Sequence, residues 1–271
     1  MGILQSYLEA VRNLASMAGE KILEVYQTEF SVEDKADKTP VTQADLAANE
    51  IILAGLKALT PDIPVLSEED SIPDFSERSK WQRYWLVDPL DGTREFIQKN
   101  GEFTVNIALI ENQQPILGVV YAPVLQVMYY AIKGKGSYKT SAHNSAEKIH
   151  VAKHCAKPVR VAGSQSFTSN EFIDFVRNLP ECTVINLGSA LKSCLVAEGG
   201  ADIYPRFGLT SEWDTAATQC ILEEAGGYLV DLSLQPLRYN TKDSLLNPHF
   251  FAYGDNQMEW VSYCEAEQVE S

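Results

Sequence analysis

Basic residues are the first thing this chain of 271 residues lacks, with 22 Lys and Arg against 37 Asp and Glu and a formal net charge of −15. A field of that sign repels phosphodiester backbones and anionic lipid, so nucleic acid is not an expected partner. Any phosphate-bearing substrate would need bound cations or local basic groups. Cysteine is also sparse. Cys155, Cys182, Cys194, Cys220 and Cys264 are odd in number and contain no C-x-x-C pair, which argues against a disulfide framework or a zinc-cysteine site and for a reducing, cytoplasmic compartment. No apolar run reaches the roughly 18 residues of a membrane-crossing helix. The first twenty residues carry acids and no cleavage pattern, so they do not read as a signal peptide. Of the four histidines, His150 and His154 stand at i, i+4, but Ile149-His150-Val151-Ala152 alternates as a strand does, which turns them off a shared helical face and argues against zinc. Internal repeats and low-complexity tracts are absent. Gly134-Lys135-Gly136 reads as a turn and not a phosphate loop, because no helix follows it.

What is present is 45% hydrophobic sequence, enough for a sizeable core. Leu4, Leu8, Val11, Ala15, Ala18, Ile22 and Val25 mark one face of a long opening helix. After a polar stretch over 31–38, Thr42 and Asp45 have capping-box spacing for a second helix with Ala48, Ile52, Leu56 and Leu59 inward, ended by Pro61. A short strand follows, ending in Glu68-Glu69-Asp70. Three β-rich runs at 103–110, 116–121 and 127–132 read as an antiparallel meander. Residues 141–157 are polar and read as irregular, the best place for a boundary between an N-terminal half (1–155) and a C-terminal half (156–271). In the second half, strands near 159–162, 184–187, 201–204 and 228–231 alternate with helices. One helix is capped by Thr168 or Ser169, and Gly199-Gly200 and Gly226-Gly227 close two others, which implies an α/β layer.

The chemistry concentrates in Trp85-Leu86-Val87-Asp88-Pro89-Leu90-Asp91-Gly92-Thr93, an apolar run that breaks out of the core with two carboxylates at its tip. Ionised groups in such a place are costly unless paired or metal-bound. Two acids this close raise each other's pKa unless a cation lies between them, and oxygen-only ligands favour Mg²⁺, Mn²⁺ or Ca²⁺. Taken singly, Asp91-Gly92 reads as a β-turn and Asp214, beside the start of an alanine-rich helix, as an N-cap. Gly188-Ser189-Ala190-Leu191-Lys192 reads either as a phosphate cradle or as an ordinary helix start. Tyr204-Pro205-Arg206-Phe207 fits either stacking on a base or core packing.

The run 85–93, with Glu68-Glu69 upstream and Trp213-Asp214-Thr215-Ala216-Ala217 downstream, resembles the paired signatures of the inositol monophosphatase superfamily. Asn100-Gly101-Glu102-Phe103-Thr104-Val105-Asn106, Leu195-Val196-Ala197-Glu198-Gly199 and Tyr204-Pro205-Arg206-Phe207-Gly208 extend the likeness from about residue 8 to residue 250. Within the superfamily the chain is most similar to the branch that removes the 3′-phosphate of 3′-phosphoadenosine 5′-phosphate in sulfur assimilation. The resemblance implies a mixed α+β and α/β fold, a layered α-β-α-β-α sandwich with the site between the halves. It implies that Glu68, Asp88 and the Leu90 carbonyl hold one Mg²⁺, that Asp88, Asp91 and Asp214 hold a second, and that a third, weaker ion lies near Glu68. Mn²⁺ would substitute, and Li⁺ and Ca²⁺ would inhibit. Thr93, hydrogen-bonded to Asp45 and helped by Glu68, would orient and deprotonate the attacking water. The N–H groups of Gly92 and Thr93 would bind phosphate, and Ser189 and Lys192 would cradle a 5′-phosphate. One departure stands out: related nucleotidases carry Ser-Arg-Ser-His where this chain has Ser164-Gln165-Ser166-Phe167. The expected partner is a small nucleotide bisphosphate, with no obligate protein partner. Relatives attach peripherally to the cytoplasmic face of the inner membrane, for which this acidic sequence offers no argument of its own. The alternatives are an inositol monophosphatase or sugar bisphosphatase on the same scaffold, and a non-catalytic metal or nucleotide sensor. Thr93 beside a full acid set argues against the sensor, since binding alone needs no water-activating hydroxyl.

Overall fold

A computed structural model describes residues 2–28, 40–142, 144–164 and 169–264. The polar stretch at 31–38, the cap candidate Thr168, and Gln165 and Phe167 lie outside the described residues.

The chain builds five layers. Helices α1 (Ile3–Tyr26) and α2 (Pro40–Leu59) form the first. The 3.6-residue spacing of Leu8, Val11, Ala15, Ala18 and Ile22 on α1 and of Ala44, Ala48, Ile52 and Leu56 on α2 turns two buried stripes onto the next layer. Gly55 lets the helices close, since a Cβ there would stand 2.1 Å from a Leu14 methyl. Because α2 starts at Pro40, Thr42 and Asp45 fall inside the helix and not at its entry, where the spacing places them. Proline suits a first helical position, where its missing N–H costs nothing.

The second layer is a seven-stranded sheet in sequence order: β1 (Val65–Ser67), then after the short helix α3 (Phe75–Arg78), β2 (Arg83–Asp91), and after α4 (Thr93–Ile97), β3 (Thr104–Glu111), β4 (Gln114–Ala122), β5 (Val127–Ile132), β6 (Gly136–Ser141) and β7 (Asn144–Ile149). All neighbours are antiparallel except β1 and β2. The segment read as irregular at 141–157 thus contains an edge strand. Only Ile149 of β7 is buried, and a polar edge strand has no hydrophobic alternation to betray it.

The second sheet runs β11-β12-β10-β8-β9, with β8 (Val159–Gly163), β9 (Cys182–Asn186), β10 (Ile203–Arg206), β11 (Tyr228–Asp231) and β12 (Phe250–Tyr253). β8, β9 and β10 are parallel, while β12 pairs antiparallel with β10 and β11. Between the sheets lie α6 (Leu191–Ala197) and α7 (Glu212–Glu224), in one core with the inner faces of both. α5 (Asn170–Asn178), capped by Ser169, and the 3₁₀ turn Trp260–Cys264 cover the outer face. The expected α-β-α-β-α order is therefore realised. Among the described residues no helix is long and apolar enough to cross a membrane.

Candidate metal centre

The signature strand delivers its acids through a distortion. Pro89 cannot donate to a sheet ladder, and the pairing of β2 with β3 slips between Asp88 and Asp91. Such bulges re-aim side chains. Here the slip brings Asp88 and Asp91 to one point, with Leu90 between them, its N–H donating to Asp88 Oδ1 at 3.0 Å. Asp214 arrives from α7. The N-cap of α7 is Ser211 and not Asp214 as the sequence suggests: Asp214 is the third helical residue, completing a capping box in which Ser211 N–H donates to its Oδ2 at 2.9 Å. Carboxyl oxygens of Asp88, Asp91 and Asp214 lie within 4.8 Å of one another. Glu68 joins them because β1 runs parallel to β2 and its N–H donates to the carbonyl of Val87 at 3.2 Å.

Burial and mutual repulsion raise the pKa of four acids here. Burial, then the charges of Asp91, Glu68 and Asp214, hold the Asp88 carboxyl well above the usual range. Burial and Asp91 push Asp214 up to about 8. Glu68 keeps an exposed face, yet burial of its carboxyl and the charge of Asp91 raise it to about 7. Asp45, on α2, is pushed to about 9 by burial and by Glu69 and Glu68, and its buried Oδ1 has no hydrogen-bond partner among the described residues. Among the described residues no Lys or Arg forms a salt bridge with Asp88, Asp91 or Asp214. Convergent carboxylates, one buried and two half-buried, with no salt bridge to Lys or Arg among the described residues fit a hard divalent cation, and an all-oxygen donor set fits Mg²⁺.

Beside the acids opens a cleft of about 410 Å³, lined by Asp91, Gly92, Ser189, Lys192, Arg206 and Asp214 among others. Of the residues expected to meet substrate, Glu68, Leu90 and Thr93 lie outside this lining. Gly92 has φ 100°, which glycine adopts readily, and a Cβ there would stand 3.2 Å from Ser189 Cβ. Lys192 is almost wholly buried. Its ammonium donates to the carbonyls of Ser189 (2.8 Å) and Leu187 (3.3 Å), and burial lowers its pKa to about 8. Ser189 Oγ donates to Asp91 Oδ2 at 2.7 Å. The expected Thr93–Asp45 hydrogen bond is not made among the described residues. Thr93 is exposed at the start of α4, while the Asp45 carboxyl sits among the Glu68 and Glu69 charges. Phe207 goes to the core, while Tyr204, itself mostly buried, and Arg206 line the cleft. Sequence reasoning missed two contributors, Thr104 and Asn106, both fully buried on β3 next to Asp91. Their signal was available as polar residues at alternate positions of an otherwise apolar strand.

Residues 3–266 match the inositol monophosphatase family, and the chain belongs to it. Among its relatives, the 3′(2′),5′-bisphosphate nucleotidase CysQ of Salmonella typhimurium is 53% identical over 245 residues, 90% of this chain and 98% of the relative. The protein of the same name from Escherichia coli K12 is 50% identical over the same shares. The crystal structure of CysQ from Bacteroides thetaiotaomicron superposes with a TM-score of 0.84 at 41% identity, covering 92% of this chain and 97% of that one.

Proposed function

We propose that this chain is a Mg²⁺-dependent phosphomonoesterase that hydrolyses 3′-phosphoadenosine 5′-phosphate to AMP and phosphate, and acts likewise on its sulfonated precursor, in sulfur assimilation. The observation that carries the chemistry is the convergence of Asp88, Asp91 and Asp214, none of which forms a salt bridge with Lys or Arg among the described residues. Relatives bearing that activity in their names, at 50–53% identity along nine-tenths of the chain, support the substrate.

In this reading Asp88, Asp91, Asp214, Glu68 and the Leu90 carbonyl hold two to three ions. When bound, they supply positive charge against the phosphate oxygens and the leaving oxygen. The residues of the chain do the rest. The N–H groups of Gly92 and Thr93 face phosphate oxygens, admitted by the missing side chain at 92. Thr93 Oγ1 orients the attacking water, Glu68 assists, and Asp45 would take the proton once cation charge offsets the neighbouring acids that otherwise hold it protonated. Lys192 places a fixed ammonium at the cleft wall for the nucleotide's second phosphate, with Ser189 beside it. The cleft lies where residues 1–155 meet residues 156–271. Mn²⁺ substitutes, and Li⁺ and Ca²⁺ inhibit. The protein acts in the cytoplasm, in part at the cytoplasmic face of the inner membrane, without an obligate protein partner.

Asp91→Asn abolishes turnover and leaves the circular dichroism spectrum unchanged; undiminished phosphate release by that variant would overturn the site. In parallel assays 3′-phosphoadenosine 5′-phosphate is preferred over inositol monophosphate and sugar bisphosphates. A preference for inositol phosphate would assign the inositol reaction instead, and no phosphate release from any of them with Mg²⁺ would make the protein a sensor.

A further inference from the structure

Asp91 is held by a corner of the opposite half. Ser189 Oγ donates to Asp91 Oδ2 at 2.7 Å and lies 2.5 Å from Thr104 Oγ1. Thr104 donates to Asn106 Oδ1 at 2.9 Å, and Asn106 Nδ2 returns to Asp91 Oδ2 at 3.4 Å. The ring of four side chains closes on one carboxylate oxygen. Thr104 and Asn106 are fully buried, so neither can meet a substrate.

The backbone at this corner is built to hold the serine there. Ser189 has φ 53°, a left-handed conformation that is unfavourable for a non-glycine residue and persists only where the surroundings enforce it. Two contacts enforce it. The Lys192 ammonium grips the Ser189 carbonyl at 2.8 Å, and Gly188 N–H donates to Glu102 Oε2 at 2.8 Å. Position 188 must be glycine for this approach, since a Cβ would fall 2.4 Å from Glu95 Cγ and 2.7 Å from the Glu102 carbonyl oxygen. A hydroxyl aimed at an anion is a strong donor, and its proton goes to the carboxylate in preference to a neutral hydroxyl.

We infer that Ser189 is a positioning residue for the metal centre: with Thr104 and Asn106 it fixes the rotamer of Asp91, so that the second half sets the geometry of a ligand belonging to the first. This rests on the metal-dependent reading above. It differs from a cradle for the substrate's second phosphate, because the hydroxyl is already engaged with a metal ligand. Partners that orient metal ligands typically change metal affinity by 10- to 100-fold when removed.

The test is Mn²⁺ binding to substrate-free protein, followed by electron paramagnetic resonance of the free ion. Ser189→Gly deletes the hydroxyl and relieves the left-handed strain. Thr104→Val deletes the ring at a position no substrate reaches. Ser189→Gly weakens Mn²⁺ binding about tenfold, Thr104→Val weakens it less but in the same direction, and the loss in kcat/KM of both is greatest at low Mg²⁺. Mn²⁺ affinity within twofold of the parent in both variants overturns the inference. Unchanged affinity with a raised nucleotide KM in Ser189→Gly makes the serine a substrate ligand and overturns it too. Should Ser189→Gly fail to fold, Thr104→Val decides alone. Failure of the parent protein to bind Mn²⁺ refutes the metal-dependent reading itself, a result separable from all of these.

Discussion

Stripping divalent cations from this protein leaves its acids to repel one another, and the consequence for stability has a definite sign. Asp214 and Asp45 are held at about 8 and about 9, and Asp88 well above its ordinary value. An acid whose folded pKa lies above its unfolded one binds protons more tightly when folded. Its effect is absent below about pH 4, where both states are protonated, and grows as pH rises until the folded value is passed. Between pH 6 and 8 the unfolded acids are already ionised while these resist. If the cluster retains only one extra proton across that interval, stability falls by ~1.36 kcal/mol per pH unit, or about 2–3 kcal/mol. For a chain of this size that is about 5–10 °C in Tm. Mg²⁺ compensates the carboxylates and removes the loss. Differential scanning calorimetry with EDTA, and separately with saturating Mg²⁺, at pH 6 and pH 8 gives the answer: the Mg²⁺ increment in Tm is larger at pH 8 by about 5–10 °C. Asp214→Asn, which keeps an oxygen for the Ser211 N–H, raises Tm in EDTA at pH 8 and shrinks the increment. An increment equal at both pH values, or a loss of Tm in EDTA for Asp214→Asn, refutes the reasoning.

Two further outcomes follow from contacts around the centre. Gly118 on β4 lies against the backbone of α7, where a Cβ would stand 2.3 Å from the Ala217 carbonyl oxygen. Gly118→Ala therefore costs about 1–3 kcal/mol of stability, read as a lower Tm, and displaces the helix bearing Asp214, read as weaker Mg²⁺ activation; an unchanged Tm would contradict the packing. Lys192, lowered to about 8 by burial, is charged below that pH and neutral above it. KM for the nucleotide rises as pH passes through about 8, and Lys192→Met removes the inflection in the pH profile of KM; a profile alike in both proteins would take Lys192 out of substrate binding.

The parts of this molecule legible in the sequence are those whose cause is local. Buried stripes on α1 and α2 follow a 3.6-residue period, and Asp-Pro-Leu-Asp-Gly-Thr announces acids at a broken strand. What stayed hidden has distant causes. β7 and the start of α2 carry polar or ambiguous residues whose state depends on a neighbour or on a proline at the helix entry. Strand β12 escaped because a four-residue aromatic run reads equally as loop core until two neighbouring strands claim it. Ser189 looked like half of a phosphate cradle because nothing near it in sequence reveals Asp91 as the acceptor of its proton.

Two sets of hydrogen bonds tie distant parts of the chain together around the acids. Ser189 of the second half holds Asp91 of the first. In return Arg78 of the first half, almost fully buried on α3, donates to Asn240 Oδ1 at 2.5 Å, while Asn240 Nδ2 donates to the Arg78 carbonyl at 2.6 Å. Asn240 N–H in turn donates to Glu212 Oε2 at 2.8 Å, at the first residue of α7, two before Asp214. Hydrogen bonds between distant parts of the chain therefore reach Asp91 directly and the first turn of α7, the helix that carries Asp214. A carboxylate left to its own segment would choose among rotamers, and repulsion from its neighbours would drive it outward into solvent. Such anchoring opposes that, keeping the acids convergent before any cation arrives and lowering the reorganisation that binding requires. The short signature at 88–93 is thus necessary for the centre but incomplete, since its geometry is supplied by residues roughly a hundred positions further along the chain.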